Sequence, residues 1–168
     1  MHHQIPAIIF HGIFAALHSR TIDNPDKNQT IMKEQNSISL FPKGDKLSGE
    51  WFSGDAFLKT LLIKDKNNEF ALGSVTFEAG ARTHWHTHPK GQVLIITEGE
   101  GFYQEKGNPA QRIKKGDVVN IPENIVHWHG ASANSQFVHI AITNYKGDKN
   151  VVWLKPVTDE EYKEVNKK

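Results

Sequence analysis

Three histidines alternate within one short stretch of this chain, which reads GARTHWHTHPKGQ over residues 80–92. Alternate side chains of a β-strand share one face, so a strand here would turn His84, His86 and His88 to the same side. Imidazole is the commonest metal ligand near neutral pH. The stretch therefore predicts one half of a metal site, and the rest of the chain has to bring the remaining ligands to that face.

A second alternating pair, His127 and His129, lies further along the chain and can supply a ligand from a facing strand. The chain contains no cysteine, which excludes disulfides and thiolate ligands. A site built only from nitrogen and oxygen donors suits Mn, Fe, Co, Ni or Zn. The absence of cysteine also fits a reducing compartment, so we expect the protein in the cytoplasm.

Most of the chain is divided into short apolar or alternating runs separated by glycine-containing turns, a pattern typical of an antiparallel sandwich or a jelly-roll barrel. The predicted strands cover residues 57–63, 70–77, 83–88, 92–97, 102–105, 111–113, 118–121, 126–129, 137–143 and 151–154. Near the end, Thr158 and Glu161 form a capping-box pattern, which predicts one short helix to about Asn166.

The first 36 residues do not share this pattern. Residues 5–17 are apolar, but they lack a positively charged start and a convincing cleavage site. Three interpretations stay open: a native N-terminus, a signal sequence, or an extension upstream of a true start at Met32. We expect residues 1–36 to be a loose extension and residues 37–168 to form one domain.

Charge and hydropathy limit the partners of this chain. The 20 basic and 19 acidic residues give a net charge of +1, which argues against a nucleic-acid groove or an anionic membrane surface. No run of about 18 apolar residues exists to span a membrane. We therefore expect a small-molecule partner and neither nucleic acid nor membrane.

Two motifs carry a resemblance to the cupin superfamily. The pattern G-x5-H-x-H-x3/4-E-x6-G is matched by Gly80, His86, His88, Gln92 and Gly99, with glutamine where glutamate usually stands. The pattern G-x5-P-x-G-x2-H-x3-N is matched in spacing by Gly116, Pro122, Asn124, His127 and Ala131. The resemblance implies an all-β fold, the cupin double-stranded β-helix or jelly-roll barrel, here with a short C-terminal helix.

Within that superfamily the chain is similar to the manganese-dependent hydroxynitrile lyases of cupin type, through HWHTHPKGQ, HWHGA and the ending VTDEEY. The resemblance implies a metal held by His86, His88, Gln92 and His127. It implies Mn(II), with Fe(II), Ni(II) or Zn(II) as alternatives. It also implies catalytic roles for His129 and His139, and a homo-oligomer, either a dimer or a tetramer.

Two classes of function follow. In the first, the chain is a metal-dependent lyase that cleaves cyanohydrins, or else a metallo-cupin dioxygenase or isomerase. In the second, it binds a small ligand without turnover. For His129, a structural position at the rim of the cavity and a role as a catalytic base are equally good interpretations. His139 points into the cavity only if its neighbours Val138 and Ile140 face outward. The role of His84 is left open.

Overall fold

The structure, a computed structural model, describes residues 39–167 and consists almost entirely of β-strands. The expectation for residues 1–36 lies outside the described residues. The strands are β1 (Asp45–Lys46), β2 (Phe52–Ser53), β3 (Ala56–Leu62), β4 (Phe70–Phe77), β5 (Arg82–Thr83), β6 (His86–Thr87), β7 (Gln92–Glu105), β8 (Gln111–Lys114), β9 (Val118–Ile121), β10 (His127–Ala131), β11 (Phe137–Asn144) and β12 (Val152–Trp153). A helix, α1 (Asp159–Asn166), follows them. The predicted all-β class and the helix are confirmed.

The strands pair antiparallel throughout the described part of the chain and form two sheets. Sheet A runs β1-β3-β4-β11-β7-β9, and sheet B runs β2-β5-β10-β7-β8. In sheet B, β10 also pairs with β6, which pairs in turn with β12. The result is the curled antiparallel arrangement of the expected cupin barrel.

Strand β7 joins the two sheets, where the sequence predicted two strands separated by a turn. Its first half pairs with β11 and its second half pairs with β10. Gly99 adopts φ 66°, and a side chain there would overlap the carbonyl oxygen of Gln136. Because glycine tolerates both the positive φ and the close approach, β7 bends from one sheet into the other without ending.

The histidine-rich stretch is not the single strand 83–88 that the sequence predicted. It is divided into β5 and β6, because His84 and Trp85 pair with other segments instead. The His84 amide donates to the carbonyl of Trp51 at 2.9 Å, and the Trp85 amide donates to that of Lys155 at 3.0 Å. These partners are distant in sequence, so no local periodicity could indicate the break.

Two clusters of buried side chains lie on opposite faces of sheet B. The inner cluster, between the sheets, includes Phe77, Leu94, Ile96 and Phe137. The outer cluster lies under the helix and consists of Trp85, Phe102, Trp128, Val157 and Tyr162. Trp85 and Trp128 therefore face away from the neighbouring histidines, as their alternation predicted.

Helix α1 begins with the predicted capping box. The Thr158 hydroxyl accepts from the Glu161 amide, and the Glu161 carboxylate accepts from the Thr158 amide. Within residues 39–167 no helix has the length and apolar character needed to cross a membrane.

The buried Arg82 guanidinium attaches the C-terminal segment to sheet B. It donates to the Val157 carbonyl at 3.1 Å and to the Asp159 carboxylate at 2.7 Å, and it lies 4.5 Å from the centre of the Tyr162 ring. The Tyr162 hydroxyl donates to the carbonyl of Ala131 in β10. Hydrogen bonds from a charged donor stabilise more than neutral ones, so the Arg82 contact adds to the apolar packing of Val157 and Tyr162 in attaching α1.

Replacing Arg82 should therefore destabilise the protein more than replacing an exposed arginine. We expect Arg82→Met to lower the free energy of unfolding in urea by about 2–3 kcal/mol, because it removes charge-assisted hydrogen bonds. The matched control Arg112→Met breaks a half-exposed pair with Glu100 and should cost less than about 1 kcal/mol. Equal losses in the two variants would contradict this role of Arg82.

Candidate metal centre

A cavity of about 500 Å³ is lined by both sheets and by the segment that follows β11. Its polar lining consists of Ser48, Thr60, Thr83, His86, His88, Gln92, His129, His139, Thr143, Tyr145 and Asn150. Leucine, valine and aromatic side chains form most of the remaining wall, including Leu58, Leu72, Val75, Trp51 and Trp153. Among the described residues that line it there is no Asp, Glu, Lys or Arg.

Three of the predicted ligands are histidines whose rings lie close together. His86 in β6 is the register partner of His127 in β10, and their ring centres are 4.2 Å apart. His88 follows β6, with its ring centre 5.0 Å from that of His86 and 5.4 Å from that of His127. All three side chains are buried. The pairing of β6 with β10 thus brings together the two motifs that lie far apart in the sequence.

Backbone carbonyls fix the tautomer of each of these rings. The Nδ1 atom donates to the His84 carbonyl in His86 (2.9 Å), to the Asn150 carbonyl in His88 (2.6 Å) and to the Ile125 carbonyl in His127 (2.9 Å). A carbonyl oxygen only accepts, so each Nδ1 carries the proton and each Nε2 keeps its lone pair. This is the arrangement found where a histidine binds a metal through Nε2.

Gln92, the fourth predicted ligand, lies at the start of β7. Its Nε2 atom donates to the Thr143 hydroxyl at 2.8 Å, whereas its Oε1 atom is buried without a hydrogen-bond partner. The Nε2 atoms of His88 and His127 are likewise buried without a partner. Buried polar atoms are normally hydrogen-bonded, so a cluster of unpaired acceptors has the chemistry that a cation would satisfy. These residues therefore fit a divalent metal ion.

A second grouping of ligand atoms overlaps the predicted one. One ligand atom from each of His86, His127 and His129 lies within 4.8 Å of the others. The two groupings share two histidines and differ in whether His88 or His129 completes the set. The Nδ1 atom of His129 is buried without a hydrogen-bond partner. No backbone carbonyl therefore fixes its proton on Nδ1, as the Asn150 carbonyl does for His88. The ligand set His86, His88, Gln92 and His127 stays a prediction, and the carbonyl contacts favour it.

Burial keeps the three predicted ligand histidines neutral. It lowers the pKa of His86 well below the ordinary value, and the neighbouring His127 and His88 lower it further. Burial also lowers the pKa of His127 to about 4, against the opposing hydrogen bond to Ile125. The pKa of His88 is lowered by burial, although the Asn150 carbonyl and the nearby Gln92 amide oppose the shift. Neutral imidazole is the form that binds metal, so no proton has to leave at pH 7.

His129 and His139, the predicted catalytic residues, both line the cavity next to this cluster. Their rings meet edge to face with centres 4.9 Å apart, and the His129 ring centre lies 5.5 Å from that of His86. His139 is fully buried and stacks on Phe77. Its inward direction agrees with the alternation of β11, because Ala141 and Thr143 line the same cavity.

These two histidines are also neutral at pH 7. Burial lowers the pKa of His139 to about 3, with the Ile140 backbone opposing the shift. Burial and then the neighbouring His139 and His86 lower the pKa of His129 well below the ordinary value. His84 does not line the cavity, and its ring lies edge-on to Trp51. Its contribution to the site is the carbonyl that holds His86.

Sequence reasoning missed several residues of this site. Thr143 lies four residues after His139 on one strand face, so alternation could have placed it in the cavity. The Asn150 carbonyl and the stacked pair Trp51 and Trp153, with ring centres 5.5 Å apart, also reach the site. Trp153 lies in the predicted strand 151–154, whereas Trp51 and Asn150 lie outside the predicted strands. No local signal identifies those contacts.

Comparisons with known proteins agree with this architecture. Residues 73–143 match the family model described as Cupin domain. The (R)-mandelonitrile lyase of Granulicella tundricola is 43% identical over 114 residues, which cover 68% of this chain and 87% of that protein.

Solved structures give the same result. A cupin-like protein from Thermotoga maritima shares 48% identity at a TM-score of 0.71, covering 75% of this chain and 96% of that one. A DMSP lyase from Ruegeria pomeroyi matches at a TM-score of 0.53 over 71% of this chain and 61% of that one. Its 20% identity supports the fold alone.

Single substitutions should distinguish the two ligand groupings. We expect His88→Ala to lose most of its Mn(II) after purification from supplemented medium and desalting, because a backbone-oriented ligand is removed. His129→Ala should retain Mn(II) close to one ion per chain. Elemental analysis of both variants and of the unsubstituted protein measures the number of Mn(II) ions bound per chain. Metal lost from His129→Ala and retained by His88→Ala would instead support the grouping with His129.

The buried His139 should make the metal-free protein sensitive to acid. In the unfolded chain His139 becomes protonated as the pH falls below its ordinary pKa of 6.5. In the folded chain it stays neutral until about pH 3. Stability therefore falls as the pH falls from 6.5 toward 3. Between pH 7 and pH 5, His139→Phe should lose about 2 kcal/mol less stability than the unsubstituted protein. Urea unfolding at both pH values measures the difference, and an identical decrease would refute it.

Proposed function

This chain belongs to the cupin family, and from that premise we propose that it is a metal-dependent lyase that cleaves small hydroxynitriles to a carbonyl compound and hydrogen cyanide. The observation that carries the proposal is the convergence of three backbone-oriented imidazoles and one amide oxygen beside two further neutral histidines. The similarity to an (R)-mandelonitrile lyase supports the same reaction class.

We propose that His86, His88, Gln92 and His127 hold the cation. A divalent ion bound there would act as a Lewis acid toward the hydroxyl or carbonyl oxygen of the substrate. The four donors are neutral, so they would leave the positive charge of the ion undiminished. The donor types do not select manganese, since the usual order of affinities favours Zn(II) over Mn(II). Mn(II) is proposed from the resemblance to the manganese-dependent lyases.

The proton is proposed to move through His129 or His139. In hydroxynitrile cleavage the hydroxyl loses a proton, the carbon–carbon bond to the nitrile breaks, and cyanide leaves with that electron pair. A neutral imidazole beside the substrate can accept the hydroxyl proton and return it to the departing cyanide. Both histidines are neutral and so have a lone pair free to accept a proton, although burial lowers the pKa of each and makes it a weaker base than an exposed imidazole. One ligand atom of His129 lies within 4.8 Å of those of His86 and His127, a grouping that does not include His139.

The cavity walls support an apolar substituent on the substrate. A charged group placed against Leu58, Leu72 and Val75, away from the proposed cation, would be buried without a charged side chain to pair with, which is costly. A neutral cyanohydrin with an apolar substituent meets no such penalty. Its oxygen would lie at the histidine cluster, and its substituent would contact the apolar wall.

We also propose a homodimer. Ile95 in β7 and Val118 in β9 are register partners, and both side chains are exposed on sheet A. Exposed apolar side chains on adjacent strands are typical of a surface that another protein covers.

Replacing His139 should slow catalysis without removing metal. We expect His139→Phe to reduce the rate of mandelonitrile cleavage by about 10²–10⁴-fold, the usual loss when an acid–base group is removed. Benzaldehyde formation followed by absorbance, together with elemental analysis, gives both quantities. The control Ile140→Val, one residue along β11 and facing away from the cavity, should leave the rate unchanged. An unchanged rate in His139→Phe would remove its role in proton transfer.

The unsubstituted protein reconstituted with Mn(II) or Fe(II) tests the proposal itself. Cleavage of mandelonitrile supports a lyase. Saturable binding of the same compound without benzaldehyde formation would reject the lyase and favour a ligand-binding cupin.

A further inference from the structure

Gln92 and Thr143 face each other across two strands of sheet A. They are register partners on β7 and β11, both line the cavity, and both are buried. The Gln92 amide nitrogen donates to the Thr143 hydroxyl oxygen at 2.8 Å. The amide oxygen on the other side of the same group is buried and has no hydrogen-bond partner. The hydrogen bond to Thr143 therefore engages the amide nitrogen of Gln92 and leaves the amide oxygen available as a ligand.

This orientation matters because the two ends of an amide differ chemically. The oxygen accepts hydrogen bonds and can ligate a cation, whereas the NH₂ group carries two donors and would repel one. A carboxylate has two acceptor oxygens and needs no such selection. Gln92 stands where the cupin motif usually has glutamate, and its NH₂ group is the end that contacts Thr143.

We propose that Thr143 is the positioning residue that holds the Gln92 oxygen toward the metal, so that the Gln92–Thr143 pair takes the place of a carboxylate ligand. This inference rests on the metal site of the proposed function. Threonine suits the task because its branched side chain has few χ1 rotamers, which keeps the hydroxyl opposite Gln92. Residues that orient metal ligands typically change metal affinity by about 10–100-fold when they are replaced.

Metal affinity in the absence of substrate provides the test. Mn(II) is titrated into metal-free protein, and the dissociation constant is measured by calorimetry and by the electron paramagnetic resonance signal of free Mn(II). We expect Thr143→Val to weaken binding by at least about tenfold, and Thr143→Ser to stay within about threefold of the unsubstituted protein because it keeps the hydroxyl. If Thr143→Val does not fold, Thr143→Ala makes the same comparison.

Thr97→Val is the matched control, because the Thr97 hydroxyl also donates across β7 and β11, to the Val138 carbonyl, but away from the cavity. It should bind Mn(II) as the unsubstituted protein does. Unchanged affinity in Thr143→Val, or an equal loss in Thr97→Val, would overturn the positioning role.

A second pair of variants tests the mechanism. In a Gln92→Glu background the ligand has two equivalent oxygens, so adding Thr143→Val should change the Mn(II) affinity by less than about threefold. The same tenfold loss in this background would overturn the inference, because it would show that Thr143 acts without orienting an amide. If the unsubstituted protein binds no Mn(II), both this inference and the proposed metal site fail. If the unsubstituted protein binds Mn(II) and Thr143→Val binds it with the same affinity, the inference about Thr143 fails while the proposed metal site stands.

Discussion

The candidate site depends on one repeated interaction, a hydrogen bond from a histidine Nδ1 atom to a backbone carbonyl. His86, His88 and His127 each make this bond, to carbonyls from three different segments. The bond sets the tautomer and the ring orientation together, so the Nε2 lone pair of each ring becomes the available one. Without these carbonyls, no hydrogen bond would fix which nitrogen of each buried ring carries the proton, so the Nε2 lone pairs would no longer be reserved for a cation.

The fold brings the three rings together and adds the distant Asn150 carbonyl, whereas the His84 and Ile125 carbonyls lie two residues before the rings that they bind. Pairing of β6 with β10 places His86 beside His127, and pairing of β7 with β11 places Gln92 beside Thr143. The bend of β7 at Gly99 allows one strand to serve both sheets. The candidate metal site and the barrel are therefore specified together, since a change of register in either pair would move a predicted ligand to the other face.

Much of this arrangement could be predicted from the sequence, and the exceptions have a common cause. Alternation correctly placed Trp128 on the side away from the histidines, and His139 lines the cavity as the conditional expectation for it allowed. The break at His84 and the Asn150 carbonyl depend on contacts between segments that are distant in sequence, and the predicted continuous strand 83–88 was wrong for that reason. The capping box of Thr158 and Glu161 is a local interaction, and it was predicted correctly.

The most direct test of this account is a nitrogen NMR spectrum of the histidine rings, before and after addition of Zn(II) as a diamagnetic substitute metal. The account predicts that in metal-free protein at pH 7 the rings of His86, His88 and His127 carry their proton on Nδ1. On addition of Zn(II), the Nε2 signals of these three rings should shift, while His129 changes little. Protons on Nε2 in the metal-free protein, or a metal shift on His129 in place of His88, would contradict it.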